Sequence, residues 1–402
     1  MGRVQKVLAL LILLVLTLYG VIGWYVSNRI GNEGLSAAYD HAPPAYDDAT
    51  IVAVGDRVVA LMPVRDDSSR VRRGLSWGLR WKGGWASAGP VQGVFRSGAV
   101  RSFALGEGEM KAGTRVDLST TPESSDPTRA CGLPFSDVAI TTELGLMPAW
   151  LIPASIGGND AAAMDADTST TWVVFVHGKG AVRTQALPTL PIYARRGLPE
   201  LVISYRNDPG APASPDGEYH YGRTEWKDLE AACAYALSQG AERFVLVGPS
   251  MAGGIILDFL EESPLADRVQ GAVLDSPAID FGRTVDLGIR EATLPGLGTR
   301  LPPLSGDLGK LIATLRFGVD WRDYDLIRRA GRLRAPLLVL HGDADDVVPF
   351  EGSEALRAAR PDLVTLVRFP GARHVEGWNL EPDRYESEIV RFLDSIATMG
   401  RS

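Results

Sequence analysis

Several features that mark specialised protein classes are scarce in this sequence. It contains only two cysteines, Cys131 and Cys233, too few for the disulfide framework of a small secreted fold, although one bridge between them stays open. Cys233 lies in a helical pattern, where we expect a buried, inert thiol. The formal net charge is −8 and no basic stripe interleaved with aromatic residues occurs, so we predict no nucleic-acid partner.

Sequence motifs for metals and nucleotide cofactors are also missing. There is no H-E-x-x-H pair, no G-x-x-x-x-G-K-[ST] phosphate loop and no G-x-G-x-x-G after a strand pattern, and the spacing of Cys and His does not suit zinc. We therefore expect no metal ion and no cofactor. Four arginines stand near two aspartates between residues 65 and 73, which we interpret as a solvated face rather than a phosphate-binding patch.

One long apolar run lies near the N-terminus. Residues 7–26, VLALLILLVLTLYGVIGWYV, carry no charge, and at about 1.5 Å per residue a helix of that length spans roughly 30 Å, one bilayer core. A cleavable signal peptide is the alternative, but its apolar core is usually about 7–15 residues long. We predict an uncleaved single-pass anchor over residues 1–30. Because Arg3 and Lys6 precede the run, we expect a cytoplasmic N-terminus at the cell membrane and an extracytoplasmic remainder.

Two further regions follow the apolar run. Residues 31–132 mix β-like runs such as TIVAVGDRVVALMPV with turns rich in Gly, Trp and Pro, which predicts a small β-rich region. Over residues 133–402, strand and helix patterns alternate, which predicts an α/β domain with a mainly parallel, doubly wound sheet. Residues 281–334 include the helix-like GDLGKLIATLRF, with Pro295, Pro302 and Pro303 breaking the insertion. We expect this insertion to form a small helical cap.

A serine ends one of the strand patterns. Ser250 follows RFVLVGP and precedes the helical MAGGIILDFLEES, a context in which a tight turn exposes the hydroxyl and the next helix points its N-terminus at a developing oxyanion. The nucleophile-elbow pattern G-x-S-x-G requires glycine where this chain has Ala252, and we expect Gly253 and Gly254 to keep the surroundings small. The structural alternative for Ser250 is a helix N-cap.

Two more strand patterns end in an acid and a histidine. LLVLHGDADDVVP carries Asp343, Asp345 and Asp346 in one turn. We choose Asp345 as the catalytic acid, with Asp275 at the end of GAVLDSP as the alternative, since ligands of open α/β sheets lie beyond the strand ends. His374 follows the strand pattern TLVRF in RFPGARHVEGW. The chain order Ser, Asp, His is that of α/β-hydrolases.

From residue 136 to residue 399 the chain resembles the α/β-hydrolase superfamily, especially its serine aminopeptidase-like and monoacylglycerol-lipase-like branch. The matching segments are VVFVHGKG, YRNDPGAPAS, GPSMAGG, HGDADDVVP and GARHVEGW. HGDADDVVP fits the H-G-x-x-D-x-x-V-P pattern of the family, which implies Asp345 as the acid. The resemblance further implies Ser250 as nucleophile, His374 as base, and the amides of Met251 and Lys179 as the oxyanion hole. We expect the Lys179 side chain itself to be solvated.

The other histidines have structural interpretations. His177 and His341 stand in matched His-Gly turns, where we expect them to hold loops by hydrogen bonds, and His41 and His220 lack a catalytic context. The leading hypothesis is a membrane-anchored serine hydrolase that cleaves carboxylic esters, including acyl lipids, through an acyl-enzyme. An acyltransferase or aminopeptidase would use the same groups, and a non-catalytic binding protein with the same fold is the alternative from another class.

Overall fold

One long apolar helix opens the chain. In the computed structural model, which describes residues 2–40, 45–64, 68–121, 125–154, 170–294, 296 and 298–399, helix α1 covers Arg3–Arg29 and continues as a π-helical turn over Ile30–Leu35. An 18-residue window of this helix has a mean hydropathy of 2.6 and is 11% buried. Its length and composition suffice to cross a membrane, a test that an N-terminal signal sequence also passes. His41, Arg65 and Pro295 lie outside the described residues.

Six antiparallel strands form a small closed barrel after α1. The order around the barrel is β1-β2-β5-β4-β3-β6, with β6 paired back onto β1. Alternate side chains fill its interior, as the two-residue period of a strand requires. The domain boundaries near residues 30 and 132 stay a prediction. The strands are β1 (Ala49–Val54), β2 (Val58–Pro63), β3 (Trp77–Trp81), β4 (Gly84–Phe95), β5 (Gly98–Glu107) and β6 (Arg115–Ser119).

An eight-stranded sheet organises the rest of the chain, in the order β14-β13-β12-β11-β9-β10-β8-β7. β8 pairs antiparallel with β7 and β10, and the other pairings are parallel. The α/β fold with a mainly parallel sheet and an N-terminal helix is therefore confirmed. The strands are β7 (Ser136–Thr142), β8 (Gly145–Ile152), β9 (Thr171–Phe175), β10 (Glu200–Ile203), β11 (Arg243–Pro249), β12 (Val269–Asp275), β13 (Leu337–Gly342) and β14 (Val364–Phe369).

Helices cover both faces of this sheet, so its central strands are apolar on both sides. Val174 of β9 belongs to the core on one face of the sheet, whereas Val173 belongs to the core on the other face. Cys233 is fully buried in α6, and it forms no disulfide with Cys131. The helices are α2 (Ala37–Asp40), α3 (Ser68–Arg72), α4 (Pro127–Cys131), α5 (Leu190–Ala194), α6 (Trp226–Ser238), α7 (Met251–Glu262), α8 (Phe281–Glu291), α9 (Ser305–Phe317), α10 (Phe350–Ala359), α11 (Gly377–Leu380) and α12 (Pro382–Met399).

The insertion between β12 and β13 contains α8, α9 and a 3-10 helix over Leu326–Arg332. Helix α9 matches the predicted helical stretch GDLGKLIATLRF and packs against the end of α1. The two helices approach so closely that a Cβ atom built on Gly309 would lie 2.2 Å from Cγ1 of Val26. The insertion thus joins the N-terminal helix to the sheet.

Candidate active site

Ser250 stands at a strained turn between β11 and α7. Its φ of 54° and ψ of −122° lie in a region that side-chain-bearing residues rarely adopt and that functional sites tend to retain. The turn is held by its backbone, since the Ser250 amide donates to the Asp275 carbonyl at 2.8 Å and the Ser250 carbonyl accepts from the Ala278 amide at 2.9 Å. Ser250 occupies the N-cap position of α7, but its hydroxyl makes no capping hydrogen bond to that helix.

Glycines around the turn allow close approach of the backbone. A Cβ built on Gly248 would lie 2.5 Å from Cβ of Ala252, and one on Gly253 would lie 2.4 Å from Cβ of Pro277. Both distances are far below any real contact between carbon atoms. Ala252 itself is fully buried, and its methyl group fits because Gly248 has no side chain. The departure from the glycine of the elbow pattern is thereby accommodated within the turn.

His374 connects the Ser250 hydroxyl to a buried carboxylate. His374 Nε2 lies 2.9 Å from Ser250 Oγ, and His374 Nδ1 lies 2.8 Å from Asp345 Oδ2. Ser250 follows β11, Asp345 follows β13 and His374 follows β14. Parallel strands end at the same edge of a sheet. The structure therefore brings together the three side chains that the sequence analysis selected, in one hydrogen-bonded chain.

The Asp345 side chain is fully buried and accepts four hydrogen bonds. Its Oδ1 accepts from the amides of Val347 and Val348 at 2.9 and 2.8 Å, and its Oδ2 also lies 3.1 Å from His341 Nε2. Burial alone would raise the pKa of Asp345, but hydrogen bonds from His341 and His374 outweigh it and lower that pKa well below its ordinary value. Asp345 is therefore ionised at neutral pH.

The other candidate acids have different partners. Asp275 Oδ2 accepts from the Tyr385 hydroxyl at 3.0 Å, and burial raises the pKa of Asp275 to about 6. Asp343 accepts from the Gly371 amide at 2.6 Å, and this bond lowers the pKa of Asp343. Asp346 is exposed, 3.7 Å from Arg373. Asp345 is the acid that the geometry pairs with the histidine.

Two backbone segments border the space in front of Ser250. Met251 begins α7, so its amide lies at the positive end of the helix. A Cβ built on Gly178 would lie 3.2 Å from Ser250 Cβ, which brings the adjoining Lys179 to the same space. The Gly178 amide donates to Gln185 Oε1 at 2.8 Å and is thus occupied.

The Lys179 side chain is tied to the N-terminal segment. Its Nζ forms an ion pair with Asp40 and donates to the Glu33 carbonyl at 2.8 Å. Its exposed fraction is only 15%, so the expectation of a solvated side chain is wrong. Sequence inspection could not find this contact, because the two charges are 139 residues apart.

The loop of His374 is held by a residue from the barrel. Arg73 donates to Glu376 Oε2 at 2.5 Å and to the Gly371 carbonyl at 2.9 Å, while Glu376 also accepts from the Arg373 amide at 2.8 Å. Arg73 is mostly buried and Arg70 pairs with Asp48. The interpretation as a solvated face is therefore wrong for Arg73, whereas Arg70 keeps 37% of its side chain exposed. Through Arg73 the barrel supports the loop of His374.

The other histidines described hold loops. His177 Nε2 lies 2.7 Å from Asp208, and His341 Nδ1 lies 2.7 Å from Ser353 Oγ. His341 also contacts Asp345, a pair that was not predicted from the sequence. The spacing i, i+4 of these two residues in HGDADDVVP could have indicated it. His220 pairs with Asp216 at 2.9 Å, outside the hydrogen-bonded chain at Ser250.

Solved structures share this architecture. The esterase Pf2001 of Pyrococcus furiosus has a TM-score of 0.50 against this chain at 20% identity, covering 68% of this chain and 96% of the esterase. The chain has the α/β-hydrolase fold. The resemblance to the serine aminopeptidase-like and monoacylglycerol-lipase-like branch stays a prediction.

Sequence comparison finds relatives without an assigned activity, and no protein-family model matches the chain. The uncharacterized protein YfhR of Escherichia coli K12 is 22% identical over 246 residues, which cover 61% of this chain and 75% of YfhR. The uncharacterized protein Rv2307c of Mycobacterium tuberculosis H37Rv is 26% identical over 269 residues, 66% of this chain and 81% of Rv2307c. These two relatives indicate no reaction, so the evidence for the chemistry of this chain is the geometry of its site.

A cavity of about 530 Å³ opens onto Ser250 and His374 in this α/β-hydrolase fold. Its volume lies within the range of about 300–1,000 Å³ typical of small-molecule sites, and its lining is largely apolar. Within the described ranges, no group of three or more His, Cys, Asp or Glu side chains is placed to hold a metal ion. The expectation that the site uses no metal stays a prediction from sequence.

Proposed function

We propose that the protein is a membrane-anchored serine hydrolase that cleaves carboxylic esters through an acyl-enzyme. The observation that carries this proposal is the hydrogen-bonded chain from Asp345 through His374 to Ser250, at the strained turn of an α/β-hydrolase fold. Such a chain is what activates a serine hydroxyl as a nucleophile. The structural likeness to an esterase supports an ester as the substrate class.

In the proposed first step, Ser250 Oγ attacks the acyl carbon while His374 Nε2 removes the hydroxyl proton. Asp345 keeps the remaining proton of the ring on Nδ1 and stabilises the imidazolium that forms. The lowered pKa of Asp345 keeps the carboxylate charged, so the proton stays on His374. The neighbouring His341 and the two backbone amides fix the orientation of the carboxylate.

The negative oxygen of the tetrahedral intermediate requires hydrogen-bond donors. We assign this role to the backbone amides of Met251 and Lys179, on the two sides of Ser250. Loss of one such donor typically costs about 3–4 kcal/mol of transition-state stabilisation. The ion pair of Lys179 with Asp40 would keep the second amide in position.

The leaving alcohol departs with the proton that His374 delivers, and the acyl group remains on Ser250. Water then attacks the acyl-enzyme with His374 as general base, which releases the carboxylic acid and restores the hydroxyl. The whole cycle consumes one water and produces one acid and one alcohol.

We further propose that α1 anchors the protein in the cell membrane. Only 11% of its apolar window is buried in the rest of the chain, so the helix has a surface that a bilayer would cover. By the positive-inside rule, Arg3 and Lys6 support a cytoplasmic N-terminus with the hydrolase domain on the other side of the membrane. An anchored enzyme meets acyl esters at the membrane surface.

The proposed reaction is tested by a substrate panel. Purified full-length protein and its Ser250→Ala variant are assayed on p-nitrophenyl esters of increasing chain length and on aminoacyl p-nitroanilides. We expect ester hydrolysis that the substitution abolishes. Preference for the anilides would favour aminopeptidase activity, and transfer of the acyl group to an added alcohol in preference to water would favour an acyltransferase. Ester hydrolysis that survives Ser250→Ala would contradict the proposed nucleophile.

A further inference from the structure

The N-terminal helix forms part of the cavity that contains Ser250. Val26 and Ile30 lie on one side of the cavity, followed by Glu33 and Gly34 of the π-helical turn. These residues come directly after the part of α1 that is exposed along its length. A helix that only tethered the protein would have no contact with the substrate cavity. In this structure the last turns of α1 form one wall of the cavity.

Close packing fixes this wall. A Cβ built on Gly23 would lie 2.7 Å from Cγ of Leu308, so the Leu308 side chain of α9 packs directly on the backbone of α1 at this point. Next to this contact, Arg316 donates to Ser27 Oγ at 3.1 Å and to Asn28 Oδ1 at 2.7 Å. The contacts advance in the same direction along both helices. The wall is therefore set by the fold and does not depend on a bilayer to hold it.

The opposite wall comes from α8 and the segment after it. Phe281, Val285 and Ile289 of α8 line the cavity together with Leu301. Gly288 also lines the cavity, and a Cβ built on it would meet no atom within 4 Å. The space between the two walls is thus open and mostly apolar. Its lining also contains Ser250, His374 and four charged residues: Arg29, Glu33, Lys179 and Asp346.

We propose that this cavity binds the acyl chain of a long-chain ester between α1 and α8, and that the ester enters from the membrane surface. The inference rests on the proposed function and adds the substrate class and the source of the substrate. A mostly apolar lining that also contains Ser250 and His374 suits a ligand with a long hydrocarbon part and one reacting ester.

The position of the cavity along α1 supports entry of the ester from the membrane. The uncharged run ends at Val26, and Val26 is also the first residue of α1 in the cavity lining. Ile30 follows about 6 Å further along the helix axis. An acyl chain leaving the bilayer beside α1 would therefore enter the cavity without crossing a thick layer of water.

Helix α9 extends the apolar surface beside α1. Leu311 and Leu315 expose 56% and 79% of their surface, and Leu304, just before the helix, exposes 70%. The spacing of four residues puts Leu311 and Leu315 on one face of α9. This face belongs to the helix packed on the last turns of α1, so its exposed leucines lie where a membrane interface would cover them.

The chain-length part of the proposal is tested with two cavity variants and two matched controls. Ile30→Trp and Gly288→Phe add bulk to opposite walls. Asn32→Trp adds the same residue at an exposed position of the same π-helical turn that does not line the cavity, and Gly331→Phe adds the same residue at another glycine with open space around it. Full-length proteins are assayed in detergent on p-nitrophenyl butyrate and p-nitrophenyl palmitate, and thermal unfolding checks that each variant is folded.

We expect both cavity variants to lower the ratio of kcat/KM for palmitate to that for butyrate by about tenfold or more, and both controls to leave this ratio unchanged. An unchanged ratio in Ile30→Trp, with the protein folded, would overturn the role of α1 as a wall. An unchanged ratio in Gly288→Phe would overturn the acyl site. Wild-type protein that hydrolyses neither ester would instead contradict the proposed function, so the two failures are distinguishable.

The source of the ester is tested in vesicles. Full-length protein is reconstituted into phosphatidylcholine vesicles, and a fluorogenic palmitoyl ester is placed either in the same vesicles or in separate ones. We expect faster hydrolysis when enzyme and ester share a vesicle. Equal initial rates in the two arrangements, at equal total ester, would overturn entry from the membrane surface.

Discussion

Replacing Asp345 by asparagine probes the candidate site at its most constrained residue. In the wild type, two backbone amides donate to Oδ1 and two imidazole rings face Oδ2. The asparagine can keep its oxygen toward the amides of Val347 and Val348, which places its NH2 group against His341 and His374. The reverse orientation would leave the amides of Val347 and Val348 facing a donor, at about 1–3 kcal/mol for the amide of the buried Val348. We therefore expect the first orientation and a folded protein.

In that orientation His374 would have the wrong tautomer. Its Nδ1 would have to accept from the asparagine, so the ring proton would move to Nε2 and His374 could not remove the proton of Ser250. A loss of this kind is about 10⁴-fold in kcat in a serine protease. At 1.36 kcal/mol per factor of ten, this equals about 5 kcal/mol of transition-state stabilisation. We expect Asp345→Asn to lose about 10³- to 10⁴-fold in kcat on p-nitrophenyl butyrate.

Asp343→Asn and Asp346→Asn are the matched controls, because both acids lie in the same turn and neither contacts His374. Asp343→Asn should weaken the bonds to Gly371 and Arg368 and lower stability by about 1 kcal/mol while kcat stays near the wild-type value. Comparable losses of kcat in all three variants would refute the assignment of the acid. So would a loss below about tenfold in a folded Asp345→Asn protein.

Three further predictions concern stability and topology. Glu200 is fully buried, and its carboxylate oxygens have no partner among the residues described. Burial raises the pKa of Glu200, so the free energy of unfolding should fall as pH rises from the unfolded-state pKa toward the folded-state pKa, and Glu200→Gln should remove this decline in urea titrations. Arg73→Met should cost about 1–3 kcal/mol in the same assay, because the Glu376 carboxylate loses its cationic partner, and adding Glu376→Gln should restore part of the loss. Protease added outside intact cells should cleave the chain beyond α1.

A specific result would contradict each of these three predictions. Identical pH dependence in wild type and Glu200→Gln would mean that the carboxylate is paired or solvated. If Arg73→Met has the same free energy of unfolding as the wild type, the ion pair with Glu376 does not stabilise the His374 loop. Protection of the domain from external protease, with cleavage after the cells are opened, would reverse the proposed orientation.

The sheet and the three candidate catalytic residues could be predicted from sequence because each residue lies in the turn or loop after a strand pattern. TWVVFVHG, RFVLVGP and LLVLHG are continuous apolar runs of strand length, which indicate strands buried on both faces. The ends of parallel strands share one edge. The order of the segments along the chain therefore suffices to expect that Ser250, Asp345 and His374 converge.

The supporting contacts could not be predicted because their partners are distant in sequence. Arg73 and Glu376 are 303 residues apart, and charge patterns identify exposed faces only when partners are near neighbours on one element. Closure of the barrel was also inaccessible, since alternation in a strand indicates which face is buried and not which strand lies beside it. The apolar run of α1 indicates lipid contact and gives no sign that its end lines a cavity.

Covalent labelling by a fluorophosphonate probe tests the central claim most directly, since the probe reacts with an activated serine and needs no knowledge of the substrate. The full-length protein is incubated with the probe at neutral pH, and the modified peptide is located by mass spectrometry. We expect one adduct on Ser250, which is lost in Ser250→Ala and strongly reduced in His374→Ala. A folded wild-type protein that takes up no probe, or that takes it up on another residue, would contradict the account.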